Sequence, residues 1–233
     1  MKRGVERLIA PFDAATSEAG RRFLHSLPWW RNESCAPSSL TVTGAPVEVT
    51  YVNDEELRLT AEWGAPGSWI SARWRAGRRT MKFYRRVTLK RDAECRGIVP
   101  SLIGWSANGT IETYGRVIAP RPRTLHALLA PIGVASRLPA FLDALSFFAC
   151  RERAKLFDEV RLAAGIRAGC VTLYVPVRQL FDDHDFARAR VLALAREFRQ
   201  SLNPYERIRG SAHGLLGITL DDGPLRCSIG VAP

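Results

Sequence analysis

Lysine is nearly missing from this chain. Only Lys2, Lys82, Lys90 and Lys155 stand among its 34 basic residues, so the formal net charge of +11 is carried by arginine, spread along 233 residues. A nucleic-acid footprint usually comes as a clustered basic stripe or a recognisable motif. Neither accompanies the charge, which leaves a nucleic-acid binder as the lesser alternative and suits an anionic ligand as small as a diphosphate. No apolar run has the length of a membrane span. The basic start Met1–Arg7 is not followed by an apolar signal core, so the expected location is cytoplasmic, with no membrane partner. Cysteine pairs are missing too. Cys35, Cys95, Cys150, Cys170 and Cys227 are scattered, with no Cys-x-x-Cys and no Cys/His cluster, so free thiols and no zinc site are expected. His25, His126, His184 and His213 are isolated and read as surface or packing residues. No low-complexity linker interrupts the chain, and residues 1–233 read as a single domain.

What the chain does have is alternation. In Val171–Arg178, Val171, Leu173, Val175 and Val177 share one strand face, and Thr172 and Tyr174 the other. The layout recurs at 81–87, 111–117 and 227–233, with inner pairs Lys82/Tyr84, Glu112/Tyr114 and Ser228/Gly230. Further strands are expected at 40–52, where 46–51 alternates, and at 56–63, 69–75 and 79–90, with hairpin turns at Asn53-Asp54 and Ala76-Gly77. Residues 96–109 read as irregular, with strand character at Ile98–Ile103. A closing hairpin spans Leu215–Leu220 and Leu225–Val231.

Helices are expected where apolar residues recur at helical spacing. Val5, Leu8, Ile9 and Phe12 open the chain, and a second helix capped by Ser17 runs to Pro28. Trp29 and Trp30 begin a loop and read as a plug against the domain. Helices follow near 124–131, at Leu138–Phe148 and at Glu152–Ala164, and a long one capped by Asp182 or Asp183 reaches Leu202. The acidic cluster Asp182, Asp183 and Asp185 reads as helix capping rather than as a metal site.

The second face of the strands carries Glu48, Thr50, Arg58, Thr60, Glu62, Lys82, Tyr84, Arg86, Glu112, Tyr114, Arg116, Thr172 and Tyr174. Tyrosines recurring beside charges fit the lining of a chamber, if helices cover the apolar outside of a closed antiparallel sheet. An ordinary α+β sheet with this face in water fits the alternation as well. Each residue has its plain alternative. Arg58 and Lys82 could pair with Glu62 or Glu112 across the sheet, and the tyrosines suit strands in their own right.

Several of these segments resemble the aromatic prenyltransferases of the dimethylallyl tryptophan synthase type. Residues 43–50 (Thr-Gly-Ala-Pro-Val-Glu-Val-Thr) are similar to that family's Gly-x-Pro-x-Glu-x-Ser element. Residues 57–62 are similar to its arginine strand, 81–84 to its Lys-x-Tyr strand, and 173–178 (Leu-Tyr-Val-Pro-Val-Arg) to its Leu-Tyr-Phe-Pro-Val-Arg. The resemblance implies an α/β fold, the ABBA (α-β-β-α) or PT barrel: an antiparallel β-barrel with a polar interior, surrounded by helices. It implies transfer of an allyl group from a prenyl diphosphate to an electron-rich aromatic, an indole or a peptide side chain, in secondary metabolism. It makes Glu48 the catalytic carboxylate. It assigns Arg58, Lys82, Tyr84 and Tyr174 to the diphosphate, with Tyr114, Thr172 and Glu112 lining the substrate pocket. The prenyl diphosphate is then a co-substrate, with no cofactor and no metal, magnesium included, demanded by a visible motif.

The chemistry justifies these residue types. Ionising an allyl diphosphate requires cationic donors on the departing anion. The cation left behind survives against aromatic faces in a dry chamber. A carboxylate near the nucleophile takes up the proton. The chain departs from the family pattern at Glu112 and Thr172, where basic residues are usual, and at Gly230, where a tyrosine often stands. Glu48 and Lys82 are 34 positions apart, with no room for a helix pair between the first two strand pairs, which predicts a reduced or open barrel. A non-catalytic module of this fold binding a peptide or small aromatic is the alternative function.

Overall fold

The computed structural model describes residues 1–31, 37–41, 43–64, 67–87 and 97–233. Cys35, Cys95 and the far end of the expected 79–90 strand, with Lys90, lie outside them.

Ten antiparallel strands close into a barrel, each paired with its sequence neighbour and β1 with β10. They are β1 (Val47–Asn53), β2 (Glu56–Glu62), β3 (Ser68–Arg75), β4 (Arg78–Arg86), β5 (Ile98–Ser106), β6 (Ile111–Val117), β7 (Ala163–Arg167), β8 (Cys170–Pro176), β9 (Ala212–Leu220) and β10 (Arg226–Ala232). Of the two alternatives, a reduced or an open barrel, the opening is corrected: pairs such as Thr50 with Gly230 join the ends of the sheet. The polar strand faces point inward, as expected of a lined barrel.

Hairpin turns join β1 to β2, β3 to β4, β5 to β6, β7 to β8 and β9 to β10, and all five lie at one end. The helices enter at the other end. α1 (Lys2–Ile9) and α2 (Ala14–His25) precede β1. α3 (Pro122–Leu129), α4 (Leu138–Ala149) and α5 (Leu156–Glu159) lie between β6 and β7. α6 (His184–Glu197) and α7 (Asn203–Glu206) lie between β8 and β9. The β2–β3 and β4–β5 connections carry no described helix.

Three local expectations are corrected. Asp13, not Ser17, caps α2 through the amide of Thr16, while the Ser17 hydroxyl donates to the carbonyls of Ile9 and Phe12 and ties α2 to α1. Residues 152–164 do not form one helix. α5 ends at Glu159 and Ala163 opens β7, because small residues with Gly165 suit a tightly packed inner strand better than a helix interior. Strand β5 runs on to Ser106, past the expected Ile103.

The core lies between barrel and helices. Val49, Tyr51, Leu57, Leu59, Leu173, Val175, Leu216, Ile218, Ile229 and Val231 face outward and are buried under α1, α2, α6 and their neighbours. Burying each large aliphatic side chain is worth about 1.5–3 kcal/mol before ordering costs. The Tyr51 hydroxyl donates to the carbonyl of Leu8 at 2.6 Å, locking α1 onto β1. Trp29 donates its indole N–H to the Glu62 carbonyl at 2.9 Å, so the expected plug is present at the helical end of the barrel.

Candidate functional site

The barrel interior is built on one repeated device: a tyrosine or carboxylate on one strand faces a glycine on the next. Tyr84 is paired with Gly104, Tyr114 with Gly165 and Tyr174 with Gly217. A Cβ at Gly165 would come within 2.7 Å of the Tyr114 ring, and one at Gly217 within 3.0 Å of the Tyr174 ring. The glycines leave the width that lets large polar side chains lie inside a closed barrel. Gly230 works in the same way. A Cβ there would sit 2.5 Å from Cδ of Glu48, and one at Gly214 would sit 2.9 Å from Glu48 Oε2. The residue that departs from the family's tyrosine is the one that makes room for Glu48.

A cavity of about 580 Å³ opens at the hairpin end. Arg58, Lys82, Tyr84, Glu112, Tyr114, Thr172 and Tyr174 all line it, so seven of the eight residues singled out in the sequence converge there. Glu48 is not in its wall. On β1 the open cavity reaches Val52, and Thr50 and Glu48 follow deeper along the strand. The cavity also gathers Ser71, Arg73, Cys170, Arg167 and Arg226, which the sequence reading gave no place in a site, and Ser228, which it placed on the inner face of the last strand. Their signal is their phase: Arg73 lies opposite Arg58, and Arg226 opposite Thr219, which itself faces Thr172.

The charges inside are organised in two groups. The buried Glu56 carboxylate accepts from Arg58 at 3.0 Å and from Arg73 at 2.6 Å, holding two guanidinium groups in fixed positions. Burial opposes the Arg58 charge, and the Glu56 carboxylate beside it more than restores it, so its pKa is raised. Lys82 donates to Glu112 and, at 2.6 Å, to the Tyr114 hydroxyl. Of the two carboxylates weighed as its partner, Glu112 takes that place, while Glu62 accepts from Ser38. Burial lowers the Lys82 pKa and the Glu112 carboxylate acts against that shift. The ammonium also lies 5.3 Å and 5.0 Å from the ring centres of Tyr84 and Tyr114.

Tyr84, Tyr114 and Tyr174 form a continuous arc, with ring centres 5.7 Å and 6.3 Å apart. Burial raises the pKa of all three, so they remain neutral phenols with their ring faces available. Thr172 shares a hydrogen bond with Thr219 at 3.0 Å. Glu48 accepts one long bond of 3.4 Å from the Thr50 hydroxyl, and burial pushes its pKa up to about 7. A carboxyl tuned in this way can gain or lose a proton near neutrality. The interior thus has a mouth lined by guanidinium groups, an aromatic middle and a carboxyl of raised pKa at depth.

No protein-family model matches this chain, and no curated protein does. Solved structures match along nearly its whole length. The 5-dimethylallyl tryptophan synthase from Streptomyces coelicolor, in complex with DMASPP and Trp, superposes with a TM-score of 0.73 over 97% of this chain and 92% of that one, at 13% identity. The 6-dimethylallyltryptophan synthase from Micromonospora olivasterospora, with the same ligands, gives 0.68 over 90% and 86%, at 14% identity. Prenyltransferase PriB, in a ternary complex with L-tryptophan and dimethylallyl thiolodiphosphate, gives 0.71 over 98% and 94%, at 14% identity. The chain therefore has the ABBA, or PT-barrel, fold of the aromatic prenyltransferases.

Proposed function

We propose that this barrel transfers an allyl group from a prenyl diphosphate to an electron-rich aromatic such as an indole or a peptide side chain. The observation that carries the reading is the convergence of Arg58, Arg73, Lys82, Arg167 and Arg226 with the arc Tyr84, Tyr114 and Tyr174 in one cavity. The likeness to known prenyltransferases supports it at the level of the fold.

In this reading the diphosphate lies toward the mouth, where Arg58 and Arg73 are already aimed by Glu56, and Lys82 reaches it from β4, the next strand along the wall. The C–O bond of the allyl diphosphate breaks, and the diphosphate leaves with the electron pair. Charge-assisted donors stabilise that anion. The allylic cation lies among the three tyrosine rings, which stabilise it electrostatically and exclude water. A ring carbon of the acceptor forms the new C–C bond, and the arene then loses a proton. Glu48 accepts the hydrogen bond of the acceptor N–H from below the cavity and is the resident carboxylate for that proton. None of these steps is routed through a metal ion or cofactor.

The Lys82–Glu112 pair favours a second reading, in which the barrel binds a peptide or small aromatic without chemistry. The charge of the family-like lysine is already matched from within by the Glu112 carboxylate. The two readings separate on incubation with dimethylallyl or geranyl diphosphate and a panel of indoles and indole-containing peptides. Transfer predicts a prenylated product with stoichiometric diphosphate, lost in Arg58→Ala. The binding-module reading predicts acceptor binding, no product, and a Glu48→Gln variant altered in affinity alone.

A further inference from the structure

Among the described residues, helices cover only part of this barrel. Helices precede the β1–β2, β7–β8 and β9–β10 pairs, while the short β2–β3 and β4–β5 connections bring none among the described residues. The consequence falls on β4, β5 and β6. The outward residues of β1–β3 and β7–β10 are buried, yet Ile111 is 64% exposed and Trp105 40% exposed.

These are not scattered surface hydrophobics. Phe83, Trp105 and Ile111 stand opposite one another on three consecutive strands, forming one rung across the outside of the sheet. The Phe83 and Trp105 rings stack at 6.3 Å between centres. Met81 and Ile103, partly exposed, extend the patch above and below. A contiguous apolar face of this kind marks a contact surface.

Its surroundings define what fits. Arg85 lies on the outer face beside Ile103, Arg79 lies at the patch's edge near the cavity mouth, and Arg75 and Arg78 stand at the adjoining turn. None of these arginines has an ion-pair partner among the described residues. β4 and β5 contain no acidic residue, and the single one on β6, Glu112, points inward. A second copy would place arginines against arginines on a chain of net charge +11. The cover used elsewhere on this barrel is an amphipathic helix, such as α1 or α2.

We infer that the outer face of β4–β6 docks an acidic amphipathic helix supplied by a partner protein, with its apolar stripe on Phe83, Trp105 and Ile111 and its carboxylates on Arg79 and Arg85. This is the helix-in-groove mode of recognition transposed to a sheet face. The proposal is independent of what the chamber does.

The test uses the full chain and a labelled 18-residue helical peptide with leucines at i, i+3, i+4 and i+7 spacing and glutamates elsewhere. The same peptide with lysines for glutamates is the control. Fluorescence anisotropy is expected to show binding of the glutamate peptide only. Binding should weaken at least tenfold in Ile111→Asp and, separately, in Arg85→Glu, and stay unchanged in Lys155→Ala, an exposed lysine just before α5. Absence of binding, equal binding by the variants, or equal binding of the lysine peptide overturns the inference. So does a wild-type dimer in sedimentation that Ile111→Asp dissociates, because that result assigns the face to a second copy. Arg85→Glu keeps the test valid if the Ile111 variant does not fold.

Discussion

Glu48 is the residue on which the proposed transfer turns, and its burial has a measurable consequence. Its pKa in the fold, about 7, lies above the ordinary 4.5, and burial is the largest cause. The folded state therefore holds a proton that the unfolded chain releases. The stability this proton contributes is complete below pH 4.5 and is lost as pH rises through about 7. Denaturant titrations of Glu48→Gln should show the variant gaining on the wild type between pH 5 and pH 8, by on the order of 2–3 kcal/mol. A difference that does not change with pH would contradict the assignment. Gly230→Ala should remove the pH dependence in another way, because its Cβ displaces the carboxyl from its present place. At the mouth, Glu112 competes with any anion for Lys82. Replacing it by glutamine should tighten inorganic diphosphate binding by about tenfold, or roughly 1.4 kcal/mol, read by calorimetry. Weaker binding would mean that Glu112 orients Lys82 rather than occupying it.

At the scale of elements, the strands were far more legible than the connections. Val171–Pro176, Glu56–Glu62 and the closing hairpin follow from alternation alone, since a half-buried strand writes its two faces directly into the sequence. β7 was hidden. Ala163, Ala164 and Gly165 carry no strand signal of their own, and the smallness of Gly165 acquires its meaning only because Tyr114 and Glu112 lie against it. The same reason hides the glycine partners of the tyrosines: Gly104, Gly165 and Gly217 acquire meaning from cross-strand neighbours distant in sequence. Arg73, Arg167 and Arg226 were lost among 34 basic residues, and only the barrel register selects them. The cap of α6 was clear, because Asp183 precedes the periodic segment and accepts from the amides of Asp185 and Phe186. Asp183→Ala should cost about 1 kcal/mol in equilibrium unfolding. A cost near zero would show that α6 is held by packing alone.

For the molecule as a whole, the resemblance of short motifs to the dimethylallyl tryptophan synthases pointed to the right fold, and the matching structures agree along nearly the whole chain. The motifs were informative because they mark inward strand positions, which are the positions a barrel must control. The expected opening of the barrel did not follow from the missing helices. Closure is decided by strand pairing, and the ladder is intact although the β2–β3 and β4–β5 connections bring no helix among the described residues. The claim that this chamber ionises an allyl diphosphate is tested most directly by measuring diphosphate release from dimethylallyl diphosphate with tryptophan or an indole-containing peptide present. The account predicts release matched by prenylated product, abolished in Arg58→Ala and strongly reduced in Lys82→Ala. No release and no product from any acceptor, with the wild-type chain folded and able to bind the aromatic, would contradict it.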